Sequence, residues 1–416
     1  MRPTVPVPSP PSGPRPPVPL RLPDGRPAAD AWSLDPAVRH LNHGSFGAVP
    51  RAAQQAQHSL RDEMNAHPGL WFPELPERVA KARAAVARFL RADPDELALV
   101  PNASAGASVL YGCLPDRPGG EIVVTDHGYG AVTMGAERLA RRWGGTVRTA
   151  RVPLDADADT AYEAILAEVG ERTGLLVVDQ VTSPTARRLP VERVGAEARR
   201  RGVPFLVDGA HAPGLLADPL HGLECDVWTG NLHKFGCAPP GAAALAARSP
   251  LRTSLHPLID SWGAREPFPQ RFDFQATHDA TSHLAAPAAL ALIEETWGWD
   301  AVRAYQRDLA AYGRHIVATA FEELTGEDAS AQVGMPVDAM KLVRLPGPLA
   351  ATREQADALR GRAARELGVA AAFTAFRGTG YLRLSAHAYN TPADYEDFAA
   401  RCVPVLAGWA RTAAGR

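Results

Sequence analysis

Of the 44 basic residues in this chain only Lys81, Lys234 and Lys341 are lysines. Lys234 lies in Thr229-Gly230-Asn231-Leu232-His233-Lys234-Phe235, between the strand-like Asp226-Val227-Trp228 and the Gly/Pro-rich residues 236–241. An amine placed there suits Schiff-base chemistry, which needs a nitrogen nucleophile and not merely a positive charge. Arginine replaces lysine nearly everywhere and Ala, Gly and Pro abound, as in a GC-rich genome. The case for Lys234 therefore rests on its neighbours and not on scarcity.

Those neighbours occupy the positions that matter in an open parallel sheet, where ligands bind outside the carboxyl ends of the strands. Asp208 ends the apolar run 203–207 and is followed by Gly209-Ala210-His211-Ala212-Pro213-Gly214. There an acid can hold a protonated ring nitrogen, and His211 can bond a neighbouring ring substituent; the plainer alternative is a loop cap. Asn102-Ala103-Ser104-Ala105-Gly106 opens a helix after a strand, so free N–H groups meet a positive dipole end that suits phosphate. The alternative is an ordinary N-cap by Asn102 or Ser104. Thr125-Asp126-His127-Gly128-Tyr129-Gly130 offers Tyr129 or His127 to stack on a flat ring. Asn231 and His233 flank the lysine, and Thr182-Ser183 forms a further polar loop.

The elements that must position these groups read as strands over 97–100, 121–125, 146–151, 174–179, 204–208, 226–229 and 241–246. They alternate with helices over 133–142, 158–172 and 194–201, after an amphipathic helix over 73–90. Apolar strands without alternation predict a mostly parallel sheet covered by helices on both faces, an α/β architecture. Beyond about 285 the pattern changes to helices over 286–296 and 299–324, then strands over 340–345 and 381–385 separated by a helix over 352–367. The expected organisation is a disordered Pro-rich tail over 1–32, a large domain over 33–285 and a smaller α+β domain over 286–416. Repeated prolines forbid helix in the tail, and no repeat of 20–50 residues is evident.

With 416 residues, 46% of them apolar, the chain can bury a substantial core. A net charge of −2 with interspersed signs predicts neither a nucleic-acid partner nor an anionic membrane surface. No apolar run reaches the roughly 18 residues of a spanning helix. Four cysteines without CxxC spacing suggest neither zinc nor a disulfide scaffold, and fit reduced thiols in the cytoplasm. Neither dinucleotide-binding nor P-loop glycine motifs open a strand-to-helix turn.

Phosphate cradle, stacking residue, polar loop, acid and lysine thus recur at five successive strand ends. The constellation resembles the fold-type I pyridoxal-phosphate enzymes, specifically the class V aminotransferase superfamily. Within it the look is nearest to the isopenicillin N epimerase-like branch, which also holds C–S lyases acting on cysteine conjugates. Leu41-Asn42-His43-Gly44-Ser45-Phe46-Gly47 is similar to that branch's N-terminal active-site segment. Residues 101–106, 207–214 and His233-Lys234 are similar to its cofactor motifs, and Arg383-Leu384-Ser385 with Tyr389-Asn390 to its C-terminal substrate segment. The resemblance implies pyridoxal 5′-phosphate as a Schiff base on Lys234, Asp208 on the pyridine nitrogen and His211 on the phenolic oxygen. It implies Tyr129 or His127 against the ring, Ser104, Ala105, Asn231 and His233 around the phosphate, and Thr182 in the cofactor site. Asn42, His43, Gly44 and Arg383 would meet the amino-acid substrate, Arg383 through its α-carboxylate. It also implies a homodimer in which Thr277 completes the partner's site. Two departures are visible: Ala276-Thr277-His278-Asp279 stands where the branch often has Gly-Thr-Arg-Asp, and Ala186 stands where glycine is usual.

Proton abstraction from Cα by the freed Lys234 is common to every outcome considered. Loss of a Cβ leaving group gives C–S β-elimination, the favoured expectation, because residues 42–44 and 128–131 look more like the lyase members. Reprotonation on the opposite face gives an epimerase, and amine transfer to a keto acid an aminotransferase. A non-catalytic pyridoxal-phosphate-binding protein is the alternative of a different class.

Overall fold

The computed structural model describes residues 13–415. Strand β1 (Arg39–His40) and helices α1 (Arg51–Ala66) and α2 (Pro68–Leu90) precede a large sheet. Its strands are β2 (Leu97–Val100), β3 (Glu121–Thr125), β4 (Thr146–Ala150), β5 (Thr173–Asp179), β6 (Phe205–Asp208), β7 (Val227–Asn231) and β8 (Ala243–Ala247). Between them run α3 (Ala103–Cys113), α4 (Gly130–Arg142), α5 (Ala158–Leu166) and α6 (Val191–Arg200). The sheet order is β2-β8-β7-β6-β5-β3-β4. Strands β3 to β7 pair in parallel, while β8 is antiparallel to both β2 and β7.

Every residue of β5 is buried, as a strand covered on both faces requires. Alternate side chains enter opposite core layers: Leu176, Val178, Phe205 and Val207 on one face, Leu175, Val177 and Leu206 on the other. Strand β4 corrects the expectation of a buried strand, because it is the sheet's edge and half exposed.

Helices α7 (Thr281–Thr296) and α8 (Trp299–Thr325) follow, then β9 (Met340–Arg344), α9 (Arg353–Leu367), β10 (Val369–Ala370), β11 (Ala372–Phe376) and β12 (Thr379–Ser385). The antiparallel sheet β11-β12-β9 shares a core with α8 through Leu309, Phe321, Val343, Leu382 and Leu384. The expected division at 285/286 falls inside α7, whose Ala286, Ala289 and Ile293 join the large sheet's core. Conversely, β1 pairs in parallel with β10 and Leu41 is buried in the smaller core, so the N-terminal segment reaches across to the C-terminal part. That seam positions half of the site.

Residues 1–12 of the expected disordered tail lie outside the described residues; residues 13–32 correct that expectation. Arg21 bridges Pro27, the Trp297 indole donates to the Arg21 carbonyl at 2.6 Å, and Trp32 stacks on Trp297. Prolines exclude a long helix but not a fixed extended path. Among the described residues no helix is long and apolar enough to cross a membrane.

Candidate active site

The parallel register sets Asp179 beside Asp208 and Asp208 beside Thr229, so the ends of β5, β6 and β7 present one row of polar groups. Asp208 is 1% exposed. Its Oδ1 accepts the Ala210 N–H at 2.9 Å, while Oδ2 is buried without a partner among the described residues. Burial raises the pKa of Asp208, opposed by the Ala210 N–H and by the charge of Lys234. Asp179 is pushed up further, first by burial and then by Asp208, with the Tyr129 N–H and Lys234 pulling the other way. Two carboxyls therefore face one amine.

Lys234 lies three residues beyond β7, with its Nζ 3.2 Å from His211 Nε2 and 5.9 Å from the centre of the Tyr129 ring. Burial lowers its pKa to about 8; Asp208 opposes the shift and Arg383 adds to it. His211 is driven well below its ordinary range by burial and then by the lysine charge, which leaves it a neutral partner for the amine.

At the start of α3, Asn102 Oδ1 accepts the Ala105 N–H at 2.8 Å and Asn231 Oδ1 accepts the Ala103 N–H at 2.8 Å. The capping alternative and the anion-site reading thus share one helix end, with Ser104 between two donors already taken. A Cβ at Gly106 would lie 2.4 Å from Thr229 Oγ1, so glycine lets α3 close onto β7. His233 Nδ1 bonds the Ala242 carbonyl at 3.1 Å, and burial lowers that ring to about 4.

His127 is not at the lysine. It is wholly buried, bonded to Thr185 Oγ1 and the Val152 carbonyl at 2.7 Å each, and stacked 4.4 Å from Phe376. This corrects its expected place against a cofactor ring and leaves Tyr129 as the aromatic at the amine. Thr182 spends its hydroxyl on Thr185 and the Arg187 N–H, holding the 182–187 turn in which Ala186 takes φ +50°. Thr277 is exposed, beside Ala276 at φ +63°. Both alanines occupy the left-handed conformation that explains the glycine usual in the resembling branch.

Arg383, on β12, is 1% exposed. It donates to the Ser183 carbonyl, to Ser183 Oγ at 3.3 Å, to Asn42 Oδ1 at 3.2 Å and to Ser45 Oγ at 2.7 Å, and its Nε has no partner among the described residues. Every partner is neutral, and burial lowers its pKa to about 10. A buried guanidinium without a counter-charge is costly, so the place suits an anion. His43 departs from its expected substrate contact. Its ring is wholly buried, with Nε2 on the Lys234 carbonyl at 2.9 Å and Nδ1 on the Tyr389 hydroxyl at 3.0 Å. Gly44 donates to Ser385 Oγ at 3.2 Å.

The Aminotransferase class-V family model matches residues 72–398. An isopenicillin N epimerase of Streptomyces clavuligerus is 33% identical over 317 residues, covering 72% of this chain and 79% of that one. The chain belongs to the class-V aminotransferase family. A protein described as putative L-cysteine desulfhydrase 1 of Oryza sativa subsp. japonica is 27% identical, covering 86% of this chain and 81% of that one. Among solved structures, a complex of the cystine C–S lyase C-DES with its reaction product cysteine persulfide superposes with a TM-score of 0.74 at 19% identity. It covers 88% of this chain and 97% of that one, a likeness of fold.

The cofactor of this class-V enzyme is pyridoxal 5′-phosphate, and its residues fit that group. The partnerless Asp208 Oδ2 awaits a buried N–H, the buried amine of Lys234 faces the same carboxylate, and the α3 N-terminus supplies the anion-binding dipole. Sequence reasoning missed Asp179, Ser45 and His387. Asp179 ends an apolar strand as Asp208 does, so the strand-end rule could have found it. Ser45 lies in the 41–47 segment but was given no role there, and nothing local marks His387, whose relevance arises from contacts across the seam.

Proposed function

We propose that the protein is a C–S β-lyase acting on an L-cysteine conjugate in specialised metabolism, as a cytoplasmic homodimer. The observation that carries the reading is a buried amine with pKa about 8, next to His211, in a site whose buried Arg383 has only neutral partners. Pyridoxal phosphate, when bound, supplies a carbonyl for the substrate amine and an electron sink for charge at Cα. Asp208 would hold the pyridine nitrogen, His211 the phenolic oxygen, and Tyr129 would lie against the ring. Ser104, Ala105, Asn231 and His233 would hold the phosphate, with Thr277 reaching the partner's site. Arg383 and Asn42 take the substrate carboxylate, which fixes Cα against Lys234. The lysine amine removes the Cα proton. The Cβ–S bond then breaks with its electron pair on sulfur, and hydrolysis of the remaining three-carbon unit gives pyruvate and ammonia.

One protomer presents a single amine base. Epimerisation needs a second acid–base group across the reacting carbon, whereas elimination does not. The two isopenicillin N epimerases, at 33% and 35% identity, favour an epimerase as the second reading. The exposed Leu258, Ile259 and Trp262, the last 94% exposed, support burial against a second copy.

The test is incubation of the holoenzyme with a panel of S-substituted L-cysteines and no keto acid. Stoichiometric pyruvate and thiol are expected. Inversion at Cα without pyruvate would establish the epimerase, accumulation of pyridoxamine phosphate the aminotransferase, and cofactor absorbance without any turnover a binding protein.

A further inference from the structure

Beneath the lysine lies a buried cluster in which His43, Cys237 and His387 place their ligand atoms within 4.8 Å of one another. Its composition suggests a metal site, but its geometry does not. The two imidazoles are stacked with centres 4.1 Å apart and planes at 26°, so their in-plane lone pairs do not converge on one point. Each Nε2 also faces a backbone carbonyl, His43 that of Lys234 at 2.9 Å and His387 that of Phe235 at 3.2 Å. A carbonyl only accepts, so each Nε2 carries its hydrogen and is not free to ligate. The Ala48 N–H points at His43 Nδ1 at 3.4 Å, consistent with the same tautomer.

What these hydrogens do is hold a turn. The carbonyls of three consecutive residues are taken from outside the large sheet: His233 by the Gly47 N–H at 3.1 Å, Lys234 by His43 and Phe235 by His387. A Cβ on Gly47 would lie 2.3 Å from the His233 oxygen and 2.4 Å from that of Lys234, so the approach is as close as glycine permits. Burial lowers His387 to about 4 and His43 well below its ordinary range, the latter with a contribution from His387, which keeps the stacked rings neutral. Asn42, which accepts from Arg383, is the residue before His43.

We propose that His43 and His387 are positioning residues for Lys234: their paired Nε2–H groups fix two successive carbonyls of its turn and thereby the line along which the amine projects. The proposal rests on Lys234 as the Schiff-base lysine, but not on which reaction follows. It assigns the seam a part in aiming the base as well as in holding substrate.

The test uses purified holoenzyme and two donor-removing variants, His43→Leu and His387→Leu, with the donor-retaining His43→Gln and His387→Gln. Two properties are read: the pH midpoint of the resting enzyme's visible Schiff-base band, and kcat separately from KM. The leucine variants should shift the midpoint by about one unit. They should lower kcat by roughly 10- to 100-fold with KM within about threefold, as expected for a displaced base. The glutamine variants should recover most of both. Tyr389→Phe, which removes only the hydroxyl on His43 Nδ1, gives the same readout if the leucine variants do not fold, with a smaller midpoint shift in the same direction. Wild-type midpoint and kcat in the leucine or phenylalanine variants, or glutamine behaving as leucine, overturns the proposal. Persistence of the band in Lys234→Ala would remove the premise instead, a result distinguishable from the others.

Discussion

Two faces meet at Lys234, and they are built differently. The strand-end face consists of ionisable groups, Asp179, Asp208 and His211, each placed by its own strand or the loop just after it. The seam face consists of neutral donors and acceptors plus one arginine, brought together from positions as far apart as Asn42 and Arg383. The first face sets proton affinities through burial and charge. The second sets direction and substrate hold through hydrogen bonds whose partners come from opposite ends of the chain.

A second contrast sharpens the first. Arg187 and Arg383 are both wholly buried, and burial lowers each to about 10. Arg187 is surrounded by carbonyls of Pro153, Ala156 and Gly334 and already feels the charges of Asp126 and Asp155, an arrangement that braces loops. Arg383 meets one carbonyl, that of Ser183, and otherwise leans on hydroxyls and an amide that can yield to a carboxylate, with its Nε partnerless among the described residues. Equal burial therefore does not mean an equal role.

The largest effect is expected at the strand-end face. Lys234→Ala should lower kcat/KM by roughly 10⁴-fold, the upper range for a general base, and abolish the resting visible band; retention of either would move the chemistry elsewhere. Next, Arg383→Lys should raise KM by about tenfold or more through loss of the planar fork, with kcat changing less. Arg187→Lys should instead lower the melting temperature with KM unchanged, and if the two variants behaved alike the contrast between the arginines would fail. The pH dependence should follow the amine. Lys234 is freed as an amine only in the substrate complex and acts as a base only when deprotonated, so kcat should fall as pH drops through about 8, measured at saturating substrate of known ionisation. The smallest effect belongs to the backbone. Ala276→Gly relieves a left-handed alanine and should raise stability by under about 1 kcal/mol, read from denaturant midpoints at unchanged m-value.

The strand-end face was legible in the sequence because its information is local. An apolar run ending in Asp208 and glycines is a strand that stops with an acid at its mouth. The same logic marks Asn102 through Gly106 as a helix start, and the alternation of such units predicts the α/β sheet that the structure contains. The edge exposure of β4 and the membership of α7 in the large core were not legible, since both depend on which neighbours a segment meets. His127 and His43 show the limit at single residues. Each motif places a histidine near the site, but Phe376 claims one ring and the Lys234 carbonyl the other.

By itself, then, the sequence determined the repertoire: one amine in the right phrase, an acid and histidine three residues apart, a helix start for phosphate, and the class-V fold that presents them. Tertiary structure alone decided which groups are free. It paired Asp179 with Asp208, left Asp208 Oδ2 and Arg383 Nε without partners, and closed the N- and C-terminal segments onto the lysine turn. The physical reason is that side-chain type and strand-end position follow from neighbours in the chain. Desolvation, proton affinity and hydrogen-bond satisfaction follow from neighbours in space.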